Sequence, residues 1–325
     1  MKSIFYAITL LVFCGCQQQP AHFEDTFNNH IYTPDWYDAD ATQTVKLLSW
    51  NVEHFVDGYD DDYIDNNREN NPPANMEERR EMLAEAIKKI DADIVVLQEF
   101  ESASYAERLA EEYFPELGYR EFAALESRGW YMNVVVMSRI PLGVFYSYTA
   151  VNTPIIGQVD DEGNPEFQNF VNNRMWSVDV LVKPQYEFNL TGLHMKAGRG
   201  ERNEQWRLGQ VNMLRAQFNR FLHLDDDKNM LVVGDFNSTP ESNEFKTLLG
   251  AGTSIEFIDP LAGTGINSHP ADSAFWRIDH ILPNTHMHKE VIPGSVQVLY
   301  PFSPDTMRTI ADHLPLVVEF TTSDQ

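Results

Sequence analysis

Seven residues, Leu231-Val232-Val233-Gly234-Asp235-Phe236-Asn237, constrain this chain more than any other stretch. A short apolar run ends in a glycine and then displays a carboxylate and a carboxamide. The two-residue period of a strand predicts Asp235 and Asn237 on one face, at the rim of a sheet. Four further apolar runs end in related ways. Leu47 to Trp50 leads to Asn51 and Glu53; Ile94 to Leu97 closes on Glu99; Trp276 to Leu282 carries Asp279; and Asp312 and His313 precede the last apolar run. These ends offer hard oxygen donors and imidazole, and no sulfur. Such a set suits Mg²⁺, Mn²⁺ or Ca²⁺ and a phosphoryl substrate.

Between these runs the period changes. Met76 to Ile90 places Met82, Leu83, Ala86, Ile87 and Ile90 at helical spacing, and Glu201 to Leu222 does the same with Trp206, Val211, Leu214 and Phe218. Ser102 or Ser104 is placed to cap a helix including Tyr105 to Glu112. Trp130 to Met137 reads as a strand, and Trp176 to Val182 as a hairpin partner of Phe188 to His194. Residues 152–173 read as a long connection, and Ile292 to Tyr300 alternates like a strand. Meandering strands with helices between them predict an α/β protein of two mixed sheets packed face to face and covered outside by helices.

The motifs WNVE, LQE, GLHMKAG, GDFNSTP, RIDHILP and ADHLP, in that order, resemble the endonuclease/exonuclease/phosphatase superfamily. That superfamily includes secreted deoxyribonucleases, abasic-site endonucleases, sphingomyelinases and inositol phosphatases. The resemblance runs from about Val45 to Phe320 and implies a four-layer sandwich of two mixed β-sheets flanked by helices, with the site at one end of the sheets. It also implies roles. Glu99 is the expected metal ligand, Asn51 holds the metal or a substrate phosphate, Glu53 matches an acidic ligand position of some members, and Asp312 looks like a second metal-side carboxylate near Glu99. Asp279 and His313 form the expected pair, the carboxylate orienting an imidazole that takes a proton from the attacking water or positions it. Asp235 and Asn237 resemble the pair that orients this water and contacts the phosphoryl group. His194 matches a second imidazole that stabilises charge on the phosphate or protonates the leaving oxygen.

Arg174 matches a phosphate-facing basic residue. Tyr131 and Asn133 are read as substrate contacts or as core. Lys196, with Arg199, Arg202 and Arg207, forms the most basic local region, suited to a terminal phosphate or a short nucleic-acid backbone, or else a solvated helix start. One departure stands out. Glu101 occupies a position where several nuclease members carry a basic residue, which removes a phosphate grip and adds repulsion.

Charge narrows the substrate. With 49 acidic against 24 basic residues among 325, the formal net charge is -25, which repels polyanions at long range and disfavours a grip on long duplex DNA. A small phosphoester, or nucleic acid met locally with bound cations, stays compatible. The leading expectation is a divalent-metal-dependent phosphodiesterase acting on nucleic acid. The alternative within the same fold acts on a phospholipid headgroup, an inositol phosphate or another small phosphoester. A catalytically silent scaffold would lack the carboxylates and imidazoles, which are all present. Residues 57–73 read as a solvated acidic loop, or as a Ca²⁺-binding excursion.

At the N-terminus, Met1-Lys2 and the apolar Ser3 to Phe13 precede Gly15-Cys16. This resembles a bacterial lipoprotein signal, implying cleavage before Cys16 and lipid on it, with Phe13 and Cys14 departing from the usual pattern; the alternative is an ordinary secretory signal. The expected division is 1–15 signal, 16–44 tether and lead-in, and 45–325 a single domain. The product would be a monomer, exported and anchored to a membrane facing the periplasm or cell exterior, or secreted. Cys14 and Cys16 are the only cysteines, so the mature domain forms no internal disulfide.

Overall fold

The apolar runs form the centres of two sheets. In the first, strands Thr44–Phe55 and Ile94–Phe100 run parallel. They are flanked by antiparallel Leu316–Thr321 and Asn133–Ser138, with Gln297–Val298 and Glu121–Ala124 at the edges. In the second, Tyr186–His194 and Asn229–Asp235 run parallel, between antiparallel Met175–Lys183 and Asp279–Pro283, with Leu142–Ser147 at one edge. The computed structural model describes residues 34–126 and 129–323, all within one compact unit. The signal segment, Cys16 and most of the lead-in lie outside the described residues. Among the described residues no helix is long and apolar enough to cross a membrane.

Three apolar layers hold these elements together. Between the sheets, Val45, Leu47, Val96 and Val134 of one meet Trp176, Phe188, Leu190 and Val233 of the other. Burial of such side chains contributes about 1.5–3 kcal/mol each. Trp176 also ties the sheets directly, its indole Nε1 donating to the Val134 carbonyl at 2.8 Å. Helices Met76–Ile90, Ala103–Tyr113 and Pro304–Ile310 cover the outer face of the first sheet, with Leu83, Ile87, Leu109 and Met307 inward. Helices Glu201–Leu224 and Asn243–Leu249 cover the second, with Leu214, Phe218 and Phe245 inward. The result is the four-layer α/β sandwich. Of the two cap candidates, Ser102 is the one that accepts the Tyr105 amide, at 3.0 Å.

Some local expectations change. The 152–173 connection contains an antiparallel ribbon, Thr153–Val159 with Pro165–Gln168, packed on the Glu201–Leu224 helix. The first strand is interrupted by Pro154 and Gly157 and the second is only four residues long, so neither stands out as an apolar run. Ile292 to Tyr300 pairs only at Gln297–Val298. The acidic loop is less solvated than its composition suggests, because Asp57 and Glu69 are buried and Glu69 accepts the Asp61 amide at 2.6 Å.

Gly234 is a point of close approach. Its φ is +138°, and a Cβ there would stand 1.9 Å from the Leu193 carbonyl oxygen. Gly234→Ala is therefore expected to destabilise the protein by about 3 kcal/mol or more through overpacking and backbone strain. Urea unfolding checks this; an unchanged midpoint would show that the strands separate without cost.

Candidate active site

The five motif-bearing strand ends converge at one end of the sandwich. Asp235 closes its strand with His194 opposite on one side and Asp279 opposite on the other. Asn51 bridges the sheets, its Nδ2 donating to Asp235 Oδ2 at 2.9 Å and to Glu99 Oε1 at 3.4 Å. The Asp235 oxygens also accept the Asn237 backbone amide at 2.8 Å and its carboxamide at 3.2 Å.

Local backbone conformation aims these groups. Glu53, His54, Glu99 and Asn237 have φ of 47°, 49°, 57° and 50°, a left-handed region that costs a non-glycine residue on the order of 1–3 kcal/mol. Register breaks accompany them at Asn51/Phe55 and Gln98/Phe100, as bulges do where a side chain is re-aimed. Glu99 is thereby turned so that Oε2 accepts the His54 amide at 3.0 Å. Asn237 reaches Asp235 through a turn beyond the strand, not by the alternation expected along it.

His313 is held on three sides. Its Nδ1 meets Asp279 Oδ2 at 2.8 Å, its carbonyl accepts from Trp50 Nε1 at 2.9 Å, and its Nε2 stands 3.8 Å from both Asp235 Oδ2 and Asp312 Oδ1. Ser268 Oγ donates to the same Asp279 oxygen at 2.6 Å. Burial disfavours charge on His313, but Asp279 and Asp235 outweigh it and raise the imidazole to about 10. Burial pushes Asp235 up to about 7 against the opposing charge of His313. His194, also buried, falls to about 3 despite Glu99 and is a neutral imidazole at pH 7. Against the effect of burial, His269 and His313 hold Asp312 down at about 2. His194, His54 and the His54 amide likewise keep Glu99 below its ordinary value although burial opposes them.

This donor set fits a divalent cation. Carboxylates, carboxamides and imidazoles dominate it, and His194 Nδ1 and Asp279 Oδ1 are buried without a hydrogen-bond partner. Two trios bring ligand atoms within 4.8 Å of one another: Asp235, Asp279 and His313, and His269, Asp312 and His313. Neither includes Glu99, so Asp312, expected beside Glu99, is grouped with the two imidazoles. A cleft of about 580 Å³ opens over Glu99, His194, Asp235, Asn237, Asp312 and His313.

Other expected residues lie outside the lining of this cleft. Glu53 turns to Arg308, at 2.6 Å, while its amide donates to Asn51 Oδ1 at 3.0 Å; the same left-handed bend that directs Glu99 inward directs this carboxylate to an ion pair. Asn133 is buried, and its Nδ2 donates to the carbonyls of Glu101 at 2.6 Å and Trp130 at 3.3 Å, outside the cleft lining. Tyr131 is buried with its hydroxyl 2.8 Å from His54 Nδ1. Lys196 caps the Ala197 carbonyl at 2.8 Å and lies over Trp206. Glu101 is buried against the Asp57 amide at 2.6 Å, and burial raises it to about 8, so it presents no exposed carboxylate to a substrate. Arg174 lies over the Trp130 ring, its guanidinium carbon 4.7 Å from the centroid.

Several site residues carried no sequence signal: His54 beside Glu99, Ser268 on Asp279, and His269 beside Asp312. Arg199, read as part of the basic region, stacks on Trp276 at 3.8 Å. Arg207, read as part of a basic surface, is buried in an ion pair with Glu244 at 2.8 Å and holds the carbonyls of Lys196 and Gly198.

The profile of the Endonuclease/Exonuclease/phosphatase family matches residues 48–313. No curated protein matches the sequence. Among solved structures, the human Nocturnin catalytic domain with bound sulfate is 18% identical, with a TM-score of 0.57 over 87% of this chain and 96% of that one. An AP endonuclease from Archaeoglobus fulgidus is 16% identical, with a TM-score of 0.57 over 85% and 99%. D. rerio TDP2 in complex with a single-strand DNA product is 15% identical, with a TM-score of 0.56 over 85% and 98%. At these identities the likeness is one of fold.

Proposed function

The chain belongs to the Endonuclease/Exonuclease/phosphatase family and is a metal-dependent phosphoester hydrolase, and from that premise we propose that it is a phosphodiesterase acting on short or single-stranded nucleic acid. The observation that carries the hydrolytic reading is the Asp279–His313 pair at 2.8 Å, with His313 Nε2 free toward the cleft beside Asp235 and Asp312.

In this reading Asp279, itself held by Ser268, fixes the His313 ring; the imidazolium favoured by the surrounding carboxylates holds the attacking water in line, and a bound cation, by opposing that charge, would free Nε2 to take the water's proton. Asp235, kept in place by Asn51 and Asn237, accepts a hydrogen bond from the same water. His194 enters neutral, its Nε2 3.6 Å from Asp235 and 3.8 Å from Glu99, and polarises a phosphoryl oxygen through its N–H. Arg174 supplies fixed positive charge against the phosphate. Glu99, Asn51 and Asp312 would hold Mg²⁺ or Mn²⁺, with Ca²⁺ also admissible, and such a cation would neutralise charge on the non-bridging oxygens and acidify water.

Two arginines lying over tryptophans, Arg174 on Trp130 and Arg199 on Trp276, favour nucleic acid. The outer face of a guanidinium held flat on an aromatic ring accepts an unstacked base, and its N–H groups a phosphate. The net charge of -25 favours the second reading, a small phosphoester. A panel of single- and double-stranded DNA, RNA, bis-nitrophenyl phosphate, inositol phosphates and sphingomyelin separates them. Metal-dependent cutting of single strands faster than duplex is expected; turnover of a small phosphoester alone would move the assignment to the second reading.

The Gly15-Cys16 pair and the apolar segment before it support export with lipid on Cys16. Mass spectrometry of the full chain from a bacterial host is expected to find an acylated N-terminal Cys16. A free Cys16, or a cut elsewhere, would replace this with plain secretion.

A further inference from the structure

We propose that His269 is a nitrogen ligand of the cation bound at Asp312, which biases the site toward a first-row transition ion over Mg²⁺ or Ca²⁺. The inference rests on the reading of this cleft as the metal-binding centre of a phosphoester hydrolase.

His269 Nε2 stands 3.6 Å from Asp312 Oδ2, while His313 Nε2 stands 3.8 Å from Asp312 Oδ1. Both separations exceed a good hydrogen bond. The first suits donors that share an ion, because two ligand atoms each about 2.1 Å from one centre lie roughly 3–4 Å apart; His313 Nε2 is the atom that faces the reacting water. The three residues have ligand atoms within 4.8 Å of one another.

The imidazole is also preorganised. Its ring lies parallel to Trp276, with centroids 5.9 Å apart and planes at 7°, and packs at 4.7 Å on the His313 ring. Its backbone pairs with Trp276 in both directions, at 3.0 and 2.9 Å, and the Ala271 amide to Asp312 carbonyl and Leu314 amide to Ser268 carbonyl bonds, at 2.9 and 2.8 Å, lock the loop to the 312–314 segment. Consecutive residues of that loop thus serve the site, Ser268 through Asp279 and His269 through Asp312. The His269 side chain is 21% exposed, enough for an ion to reach it from the cleft it lines. Carboxylates alone suit Mg²⁺ and Ca²⁺, whereas an added imidazole selects for transition ions.

The competing role is an ion pair in which a protonated His269 merely neutralises Asp312. The two roles predict opposite effects of removing the ring. In chelator-stripped protein at pH 7.5, calorimetric titration with Co²⁺ and separately with Mg²⁺ is expected to show that His269→Ala weakens Co²⁺ binding by about 10–100-fold, a loss of the size that disturbing a metal site produces. Mg²⁺ binding should change by less than about 3-fold, since it prefers oxygen ligands. The visible absorption of bound Co²⁺, which reports nitrogen ligation without turnover, should also shift. His269→Gln, which keeps bulk and a polar end, controls for loop collapse and should match His269→Ala in losing the Co²⁺ preference. Tighter binding of both ions in His269→Ala would overturn the assignment in favour of the ion pair, and equal loss of both would overturn it in favour of a role confined to holding the loop. Hydrolysis that needs no metal would instead sink the metal-dependent reading of the cleft, so the two failures are distinguishable.

Discussion

His313→Ala should lower kcat on a phosphodiester by about 10²–10⁴-fold, the range that general acid–base groups contribute. The loss should fall on kcat more than on KM, because Nε2 faces the reacting water and the substrate contacts lie elsewhere. Asp279→Asn should cost less, since Ser268 and the Trp50 bond to the His313 carbonyl still hold the ring. It removes the main charge that raises His313, so the imidazole should titrate lower in metal-free Asp279→Asn by NMR. The sign for stability follows from the same shift. A raised imidazole stabilises the fold fully below its ordinary 6.5, and that contribution is lost as pH rises through about 10. In metal-free protein, His313→Gln should therefore destabilise more at pH 6 than at pH 10. A gap that widens with pH would show that His313 is buried neutral.

Glu99→Gln should raise the cation concentration needed for half-maximal activity by about 100-fold or more, beyond the 10–100-fold typical of outer-shell changes. Glutamine keeps one oxygen for the His54 amide at 3.0 Å and gives up only the long 3.4 Å bond from Asn51 to the other carboxylate oxygen, so the left-handed turn should persist while the negative charge goes. Excess Mn²⁺ should recover part of the rate. Calorimetry of the stripped protein checks this; unchanged affinity would place the ion nearer the two trios that exclude Glu99. Glu53→Gln is the matched control. Its carboxylate is engaged by Arg308, and its effect on cation affinity should be small.

Glu53 and Glu99 show where the sequence stops being legible. Both follow apolar strands, both carry positive φ, and only the tertiary surroundings decide that one turns into the cleft and the other toward Arg308. The strands themselves were readable because buried sheets need apolar runs of limited length, and the large helices because their apolar period differs. The residue types at the strand ends announced hard-donor chemistry for the same reason. Asn237 was read on the correct partner by the wrong geometry, since the strand ends at Asp235 and a turn returns the carboxamide to it. Asn133 offered no such clue: an amide at the start of a strand serves a substrate or a backbone carbonyl equally well until the fold places Glu101 and Trp130 around it. His269 was invisible for a different reason. It sits in a loop without periodicity, and only pairing of that loop with the 312–314 segment brings its ring to Asp312.

Hydrolysis of a single-stranded oligonucleotide and of bis-nitrophenyl phosphate by chelator-stripped protein, before and after adding back one cation at a time, is the most direct test of a metal-dependent hydrolase built on this cleft. Turnover of at least one substrate should vanish on stripping, return with Mg²⁺ or a transition ion, and stay absent in His313→Ala given the same ion. Turnover that survives stripping, or that His313→Ala sustains at the wild-type rate, would contradict it.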